Sequence, residues 1–362
     1  TKNRATTIKV EFQKDKYMIS IKKNFSLKKY NTFGLDQRCS EFIEYNDVAE
    51  LQSFIKDGNI TGKRLFQLGS GSNILLCNDF DGTMMHSQIK GIEIVYEDAD
   101  FVDVKVGAGE IMDDFIAWAV ENGYCGAENL SIIPGTVGAS AVQNVGAYGV
   151  EAKDIIKDVE MIKIEDGSIH VEPNENLHFG YRQSRFKEDW KDKFIVTHVT
   201  YRLKKQPDFK LSYGGLSKEL EGKEINLNSI RETIISIRNN KLPEVGKVGS
   251  AGSFFKNPIV DRSIYDEICR REKALDESVL VPKYDISDTE VKIPAGWMIE
   301  RCGWKGQSHN GAGVWHKQAL ILVNNGNAKS RDIIELANTI QVDVWSRFGI
   351  KIEPEVIYIN NL

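Results

Sequence analysis

The sequence predicts an α+β protein with more than one packed domain, and three observations carry that expectation. Stretches of helical and strand periodicity alternate through the first third of the chain. The middle changes to short alternating runs joined by tight-turn signals, which read as antiparallel strands. Past residue 240 the composition shifts and a further series of helices and strands begins; 362 residues are enough for about two or three cores.

The first twenty or so residues are charged, with short alternation in TIKVEF and YMISIK, and read as a small hairpin or a loose arm. Asn46-Asp47 can cap a helix whose apolar face is Val48, Leu51, Phe54 and Ile55, and Gly58 is placed to end it. A strand-like run from Arg64 to Leu68 then breaks into Gly69, Ser70, Gly71, Ser72 and Asn73. The next unit reads as a strand, Phe101 to Val106, and a helix, Glu110 to Glu121, with Ile111, Phe115, Trp118 and Ala119 on one face and a stop near Gly123. From Ser131 to Gly149 the chain reads SIIPGTVGASAVQNVGAYG, where so much backbone without bulk implies close approach to a ligand. VEMIKI, the turn Glu165-Asp166-Gly167 and KFIVTHVTYRL from Lys193 read as antiparallel strands. A helical stretch covers Asn228 to Asn240, and Lys241 to Ser253 reads as a linking loop. The last helix begins after Ser330, buries Ile333, Ala337, Ile340 and Val344, and ends at Gly349. A final strand, IEPEVIYI, closes the chain.

Composition removes several classes of function. With 47 basic and 52 acidic side chains, a balance of −5, the chain lacks the charge of a general phosphate-binding surface, so nucleic acid is not an expected partner. No stretch has the length of a membrane span and the polar start is unlike a signal peptide, so a cytoplasmic protein is expected. Cys39, Cys77, Cys125, Cys269 and Cys302 are odd in number and contain no CxxC pair, and no histidines stand at HxxxH or HExxH spacing. Neither a disulfide frame nor a metal site is expected.

The glycine loops carry the ligand class. LGSGSNILL lacks both the following helix and the Gly-Lys-Ser/Thr ending of a P-loop. VGAGEIM, Val106 to Met112, is only a partial dinucleotide fingerprint, with Met112 at its third glycine position, and reads as a strand-to-helix turn. Taken jointly, Gly69 to Asn73 and Pro134 to Gly149 could form anion-binding nests for a pyrophosphate, and a flavin nucleotide is the natural candidate. Among polar residues, HFGYRQSRFK offers Arg182 and Arg185, which could equally be surface charges. In the closing strand, alternation would place Glu353 and Glu355 on one face, with Pro354 marking an edge. GSAGSFFKNP sets Ser253 among small residues with no histidine nearby.

YNTFG at 30–34, GSGSN at 69–73, SIIPGTVGASAVQNVGAYG at 131–149, FGYR at 179–182, KLP at 241–243, AGSFFKNP at 251–258, PAGWMIE at 294–300 and EPEV at 353–356 together resemble the UDP-N-acetylenolpyruvoylglucosamine reductase family. The matches run in order over nearly everything from Asn24 onward. The resemblance implies a non-covalent FAD in a two-part domain of the vanillyl-alcohol-oxidase type, followed by an α+β substrate domain. It divides the chain into an extension at 1–23, FAD subdomains at 24–90 and 91–243, a substrate domain at 244–350 and a terminal strand at 351–362 carrying Glu355. It implies FAD contacts at Asn31, Thr32, Gly69, Ser70, Gly71, Ser72, Asn73, Ile133, Pro134, Gly135, Gly138, Ala139, Asn144, Gly146, Ala147 and Tyr148. KLSYGGL, Lys210 to Leu216, is similar to the substrate-covering loop of the longer subclass, which makes Tyr213 a UDP-sugar contact beside Tyr181, Lys241 and Asn257.

The activity so implied is NADPH-dependent reduction of UDP-N-acetylglucosamine enolpyruvate to UDP-N-acetylmuramate for peptidoglycan, by an enzyme expected to be a monomer. Hydride addition leaves an enolate-like species, whose stabilisation the resemblance assigns to Arg182 and Glu355. A serine hydroxyl is an adequate acid toward a strongly basic carbon, so Ser253 reads as a general acid that needs no activating base, unlike a hydrolase nucleophile. Two rivals stay open on the sequence: an oxygen-using oxidase of the same superfamily, and a UDP-sugar-binding protein without catalysis.

Overall fold

The computed structural model describes residues 19–213, 215–244 and 246–360. They form two compact units that the chain visits discontinuously. The first holds residues 19–27, 38–70 and 80–238, and the second holds 28–37, 71–79 and 239–360.

In the first unit, helix α1, Val48–Lys56, starts where the Asp47 carboxylate accepts the Glu50 amide at 2.7 Å, a cap worth about 1 kcal/mol. Leu51, Phe54 and Ile55 are buried on the expected face, and Gly58 follows in the left-handed region. They share a core with Ile43, Tyr45 and Met85 of a four-stranded sheet. Its order is Ser20–Ser26, Arg38–Tyr45, Phe80–Ser87 and Leu65–Leu68, the first pair antiparallel and the others parallel. Of the expected N-terminal arm, residues 1–18 lie outside the described residues. Residues 20–23 belong to the strand paired with Arg38–Tyr45, not to a separate hairpin.

The expected antiparallel strands form a five-stranded sheet in the order Ile169–Pro173, Ile156–Lys163, Phe194–Lys204, Phe101–Gly107 and Ile92–Glu97. Helix α2, Met112–Glu121, shares its core, and Phe115 stacks on Tyr201 with ring centroids 4.5 Å apart. The helix starts later than expected. Ile111 is its cap residue and is exposed, and the buried face is Met112, Phe115, Ile116, Ala119 and Val120. The small-residue run is not all loop either: Val137–Gln143 forms helix α3 despite Gly138 within it. Its first turn is held by the Val137 and Gly138 amides, which donate to the carbonyls of Glu110 and Ala108, and its alanines favour a helix. Helices α4, Leu216–Glu219, and α5, Leu227–Lys241, build a small satellite core from Leu216, Leu220, Ile230, Ile234 and Ile237, with Tyr148, Phe209 and Leu211 packed on it.

Charges on the five-stranded sheet make a testable statement about acid stability. Glu160 receives His198 Nδ1 at 2.8 Å, Lys105 Nζ at 2.7 Å and Thr197 Oγ1 at 2.9 Å. The His198 contact leads these in holding the carboxyl down to about 2 against the opposing effect of burial. A depressed carboxyl contributes stability that is complete above its ordinary value of 4.5 and is lost as pH falls through about 2. Urea midpoints measured across that window should fall less steeply for Glu160→Gln than for the parent.

The second unit is built on a four-stranded antiparallel sheet ordered Gly249–Ser253, Ile321–Asn324, Ala312–Val314 and Ser308–His309. Its helices are α6, Arg262–Leu275, α7, Ala295–Arg301, and α8, Ser330–Phe348. Helix α8 buries Ile333, Ala337, Ile340 and Val344 and stops at Gly349 with φ 68°, as expected. Two expectations are corrected. Gly249–Ser253 is a strand, not the end of a linking loop, since pairing to Ile321–Asn324 supplies what its small side chains do not. The closing strand is only Ile357–Ile359, parallel to Ile74–Leu76, so Glu353 and Glu355 precede it and strand alternation does not set their faces. Pro354 instead forms an isolated bridge with Phe255.

Glu272 on α6 is 3% exposed and joins the three helices. Its carboxylate accepts Arg301 Nε and Nη2 at 2.9 and 2.6 Å and Arg347 Nε and Nη2 at 3.0 Å each. Removing this shared anion leaves two partly buried guanidinium groups facing one another. Glu272→Ala should therefore lower the unfolding free energy by about 2 kcal/mol, discounted because both arginines reach solvent. Chemical denaturation checks this.

Among the described residues no helix is long and apolar enough to cross a membrane.

Candidate active site

In the first unit, the segment after Pro134 is laced to the start of α2. The amides of Val137 and Gly138 donate to Glu110 and Ala108 carbonyls at 2.9 and 3.0 Å, and Met112 N–H donates to the Gly135 carbonyl at 3.0 Å. Gly138 and Ala139 lie in α3, and Gly146–Ala147 pairs with Val150–Glu151. Asn144 ends α3 in the left-handed region at φ 43° and is fully buried. Its side chain ties together the Gly180 carbonyl, Glu151 and the Lys153 amide, at 2.8, 3.0 and 3.0 Å.

Arg182 belongs to the same assembly. Gly180 and Gln183 exchange backbone hydrogen bonds at 3.0 and 3.1 Å, and Arg182 occupies the turn between them at φ 57°. From there its guanidinium donates to the carbonyls of Gly146 at 3.0 Å and Asn144 at 3.4 Å, while lying 5.2 Å from the Tyr181 ring centroid. Arg185 is different: it pairs with Asp189 and lies 3.9 Å over Trp190, a local surface arrangement. Tyr148, at φ 47°, has its carbonyl held by Asn129 Nδ2 at 2.8 Å, and the same amide donates to Lys210 O at 2.7 Å. The glycine-rich segment is thereby tied to the segment that leads to Tyr213, which is itself exposed.

Sequence reasoning missed Asn129 and Arg238. Asn129 Oδ1 and Arg238 Nε are buried and make no hydrogen bond among the described residues. Burial also lowers the pKa of Arg238, which reaches the Ile132 carbonyl through Nη2 at 3.4 Å. A desolvated cation with an orphaned donor beside a row of small residues fits the diphosphate of a dinucleotide. Position in α5 gave no sequence signal for it.

The second unit brings Ser253 and Glu355 together. Ser253 ends its strand on the exposed side, after a register irregularity between Ser250 and Ser253, and Gly252 there has φ 68°. The left-handed residue turns the chain so that Ser253 points outward while Phe254 and Phe255 are fully buried. The 353–356 segment runs alongside: Glu355 N–H donates to Phe254 O at 2.8 Å, and Lys256 N–H to Glu353 O at 2.9 Å. Asn73 braces the same segment, its amide 3.4 Å from the Glu355 carbonyl, while its own carbonyl accepts Ile357 N–H at 3.0 Å.

The remaining positions are more dispersed. Gly71, at φ 65°, passes so close to Tyr30 that a Cβ would stand 2.0 Å from the Tyr30 carbonyl oxygen. Its own carbonyl accepts Thr32 N–H at 3.1 Å, and Asn31 closes a turn onto both Leu35 backbone groups at 2.9 and 3.0 Å. Asn257 Oδ1 accepts the first amide of α7, Ala295 N–H, at 2.9 Å, and the Lys241 carbonyl accepts Trp315 Nε1 at 3.0 Å. Among the described residues no cluster of three or more His, Cys, Asp or Glu is arranged to hold a metal.

The first unit is an FAD-binding one: a family model described as FAD binding domain matches residues 40–171. A second, described as UDP-N-acetylenolpyruvoylglucosamine reductase, C-terminal domain, matches residues 243–359. The UDP-N-acetylenolpyruvoylglucosamine reductase of Bacteroides fragilis strain YCH46 is 45% identical over 94% of this chain and 100% of its own. The reductase of the same name from Flavobacterium johnsoniae is 43% identical over 93% of this chain and 99% of its own. The crystal structure of such a reductase from Thermus caldophilus superposes with a TM-score of 0.66 at 23% identity, covering 94% of this chain and 99% of that one, which establishes the shared fold. The chain belongs to the UDP-N-acetylenolpyruvoylglucosamine reductase family, and is a flavin-dependent oxidoreductase of peptidoglycan synthesis.

Proposed function

We propose that the chain reduces the enolpyruvyl ether of UDP-N-acetylglucosamine enolpyruvate to UDP-N-acetylmuramate with NADPH as the reductant, and that Arg182, Glu355 and Ser253 are its catalytic residues. When bound, FAD supplies hydride transfer, from NADPH to the methylene carbon of the ether. The side chains have the remaining work: binding the carboxylate, stabilising charge on the adjacent carbon and delivering one proton to it.

Arg182 suits the first two tasks, since a fixed guanidinium pairs with a carboxylate and its charge counts for most where water is excluded. Glu355 contributes to that stabilisation, in its protonated form by donating a hydrogen bond to the enolate-like species. Ser253 gives its hydroxyl proton to the carbon next to the carboxylate and recovers one from solvent. The observation that supports this reading most directly is the pairing of an outward Ser253 with the Glu355 segment, on a strand end anchored by two buried phenylalanines.

Tyr181, Tyr213, Lys241 and Asn257 are assigned to the UDP-sugar, Tyr213 in the role of the covering loop of the longer subclass. The FAD contacts are assigned to residues 31–32, 69–73 and 133–148. The enzyme is assigned to the cytoplasm as a monomer.

Anaerobic absorption spectroscopy tests the proposal. Addition of NADPH should bleach the flavin, and UDP-N-acetylglucosamine enolpyruvate should then restore its colour. Bleaching without return would reject the substrate; NADH acting as well as NADPH would reject the reductant preference.

A further inference from the structure

Ile132 is a β-branched residue at φ 49°, in a region such residues rarely enter. It stands directly before Ile133, Pro134 and Gly135. Its neighbour cannot share the distortion, because a residue preceding proline is restricted to extended conformations. The strain therefore stays at Ile132 and must be held there by its surroundings.

Both ends of the residue are held. Its N–H donates to Asp113 Oδ1 at 2.6 Å, and its carbonyl accepts Arg238 Nη2 at 3.4 Å. Asp113 is gripped in turn by Arg231, with Nη1 to Oδ1 at 2.6 Å and Nη2 to Oδ2 at 2.9 Å. Arg231 and Arg238 are two turns apart on one face of α5. Asp113 itself lies in the first turn of α2, where a carboxylate is favoured. Beyond it, the α2 entry and the residues from Gly135 to Gly138 run side by side through their backbone hydrogen bonds, with Ile111 bridging Thr136.

We propose that Asp113, fixed by Arg231, is a positioning residue for FAD: it holds the left-handed Ile132 peptide so that the backbone of residues 133–138 already has its binding conformation against the start of α2 before the cofactor arrives. The inference rests on reading residues 133–138 as FAD contacts. Without Asp113, Ile132 relaxes toward the extended region and the following segment loses its register against α2. Binding must then restore the strained conformation, which weakens affinity without removing any group from the cofactor's own contacts.

The test is a double-mutant cycle read by FAD affinity. Apoprotein is titrated into FAD and the quenching of flavin fluorescence gives the dissociation constant, with the melting temperature of each apoprotein measured alongside. Asp113→Ala should weaken FAD binding roughly ten- to hundredfold. Ile132→Gly in that background should restore most of the loss, because glycine adopts the left-handed conformation freely, and Ile132→Gly alone should change affinity less than about threefold. A merely structural carboxylate would lower the melting temperature but give no glycine rescue of affinity, and that pattern overturns the proposal. Parent-like FAD affinity in Asp113→Ala overturns it too, while leaving the FAD site intact. If Asp113→Ala does not fold, Asp113→Asn, which keeps one acceptor for the Ile132 N–H, is read by the same criteria. A parent apoprotein that takes up no FAD would reject the site reading and this inference together.

Discussion

Ser253→Ala is expected to leave bleaching of the bound flavin by NADPH near the parent rate and to slow turnover of the UDP-sugar by roughly 10²- to 10⁴-fold, the usual span for a lost general acid. The separation follows from where Ser253 stands. It is exposed at the end of its strand, whereas the loop's anchorage comes from Phe254 and Phe255, both fully buried with rings 5.1 Å apart. Removing one hydroxyl from an exposed position leaves that anchorage in place, so global stability should change by less than about 0.5 kcal/mol. Ser253→Cys retains a proton donor at the same atom position and should recover part of the rate. Stopped-flow measurement of the two half-reactions decides the matter: equal losses in both would mean that Ser253 supports the flavin, not the protonation. A companion variant separates chemistry from geometry. Gly252→Ala keeps the serine but places a side chain at φ 68°, a cost of about 1–2 kcal/mol, and should lower turnover by re-aiming Ser253.

Some of this arrangement was legible in the sequence and some could not be. Helices α1 and α8 were, because an apolar stripe at helical spacing that ends in a glycine suits neither a strand nor a loop, and both glycines are left-handed as the pattern requires. Helix α3 was hidden because glycine, alanine and serine serve a tight loop as well as a helix, and only the laced backbone against residues 108–110 decides between them. The strand Gly249–Ser253 has no β-branched or aromatic residue to announce it; its pairing partner lies far along the chain. The family motifs pointed to Ser253, Arg182 and Glu355, yet the hydrogen bond that sets Glu355 beside Phe254 belongs to tertiary structure. Still less visible was the support behind the motifs. VGAGEIM reads locally as a strand-to-helix turn, and it is one, but its backbone is also the template along which residues 135–138 lie. Asp113 and Arg231 are 118 residues apart, and nothing local in either position marks them as partners.

Arg182→Lys should lower kcat/KM for the UDP-sugar by roughly 10²- to 10³-fold, with most of the loss in kcat, as for removal of a preorganised donor at developing charge. The substitution keeps a positive charge, so the difference lies in shape. The guanidinium is a rigid fork that reaches two carbonyls of the glycine-rich segment, Gly146 and Asn144, and so is held in one orientation by the loop it braces. An ammonium group on a flexible stem cannot hold both carbonyls and still meet a carboxylate along two parallel bonds. Position in the turn adds a further constraint, since φ 57° fixes the direction from which the side chain departs and Lys187 Nζ holds the Arg182 carbonyl at 2.7 Å. The backbone should therefore survive the change, and the apoprotein should melt close to the parent temperature. A rise in KM at constant kcat would mean that Arg182 binds the ground state and the transition state alike, leaving charge stabilisation to other groups. A loss confined to kcat, with FAD affinity preserved, would assign the arginine to the charge that develops beside the substrate carboxylate.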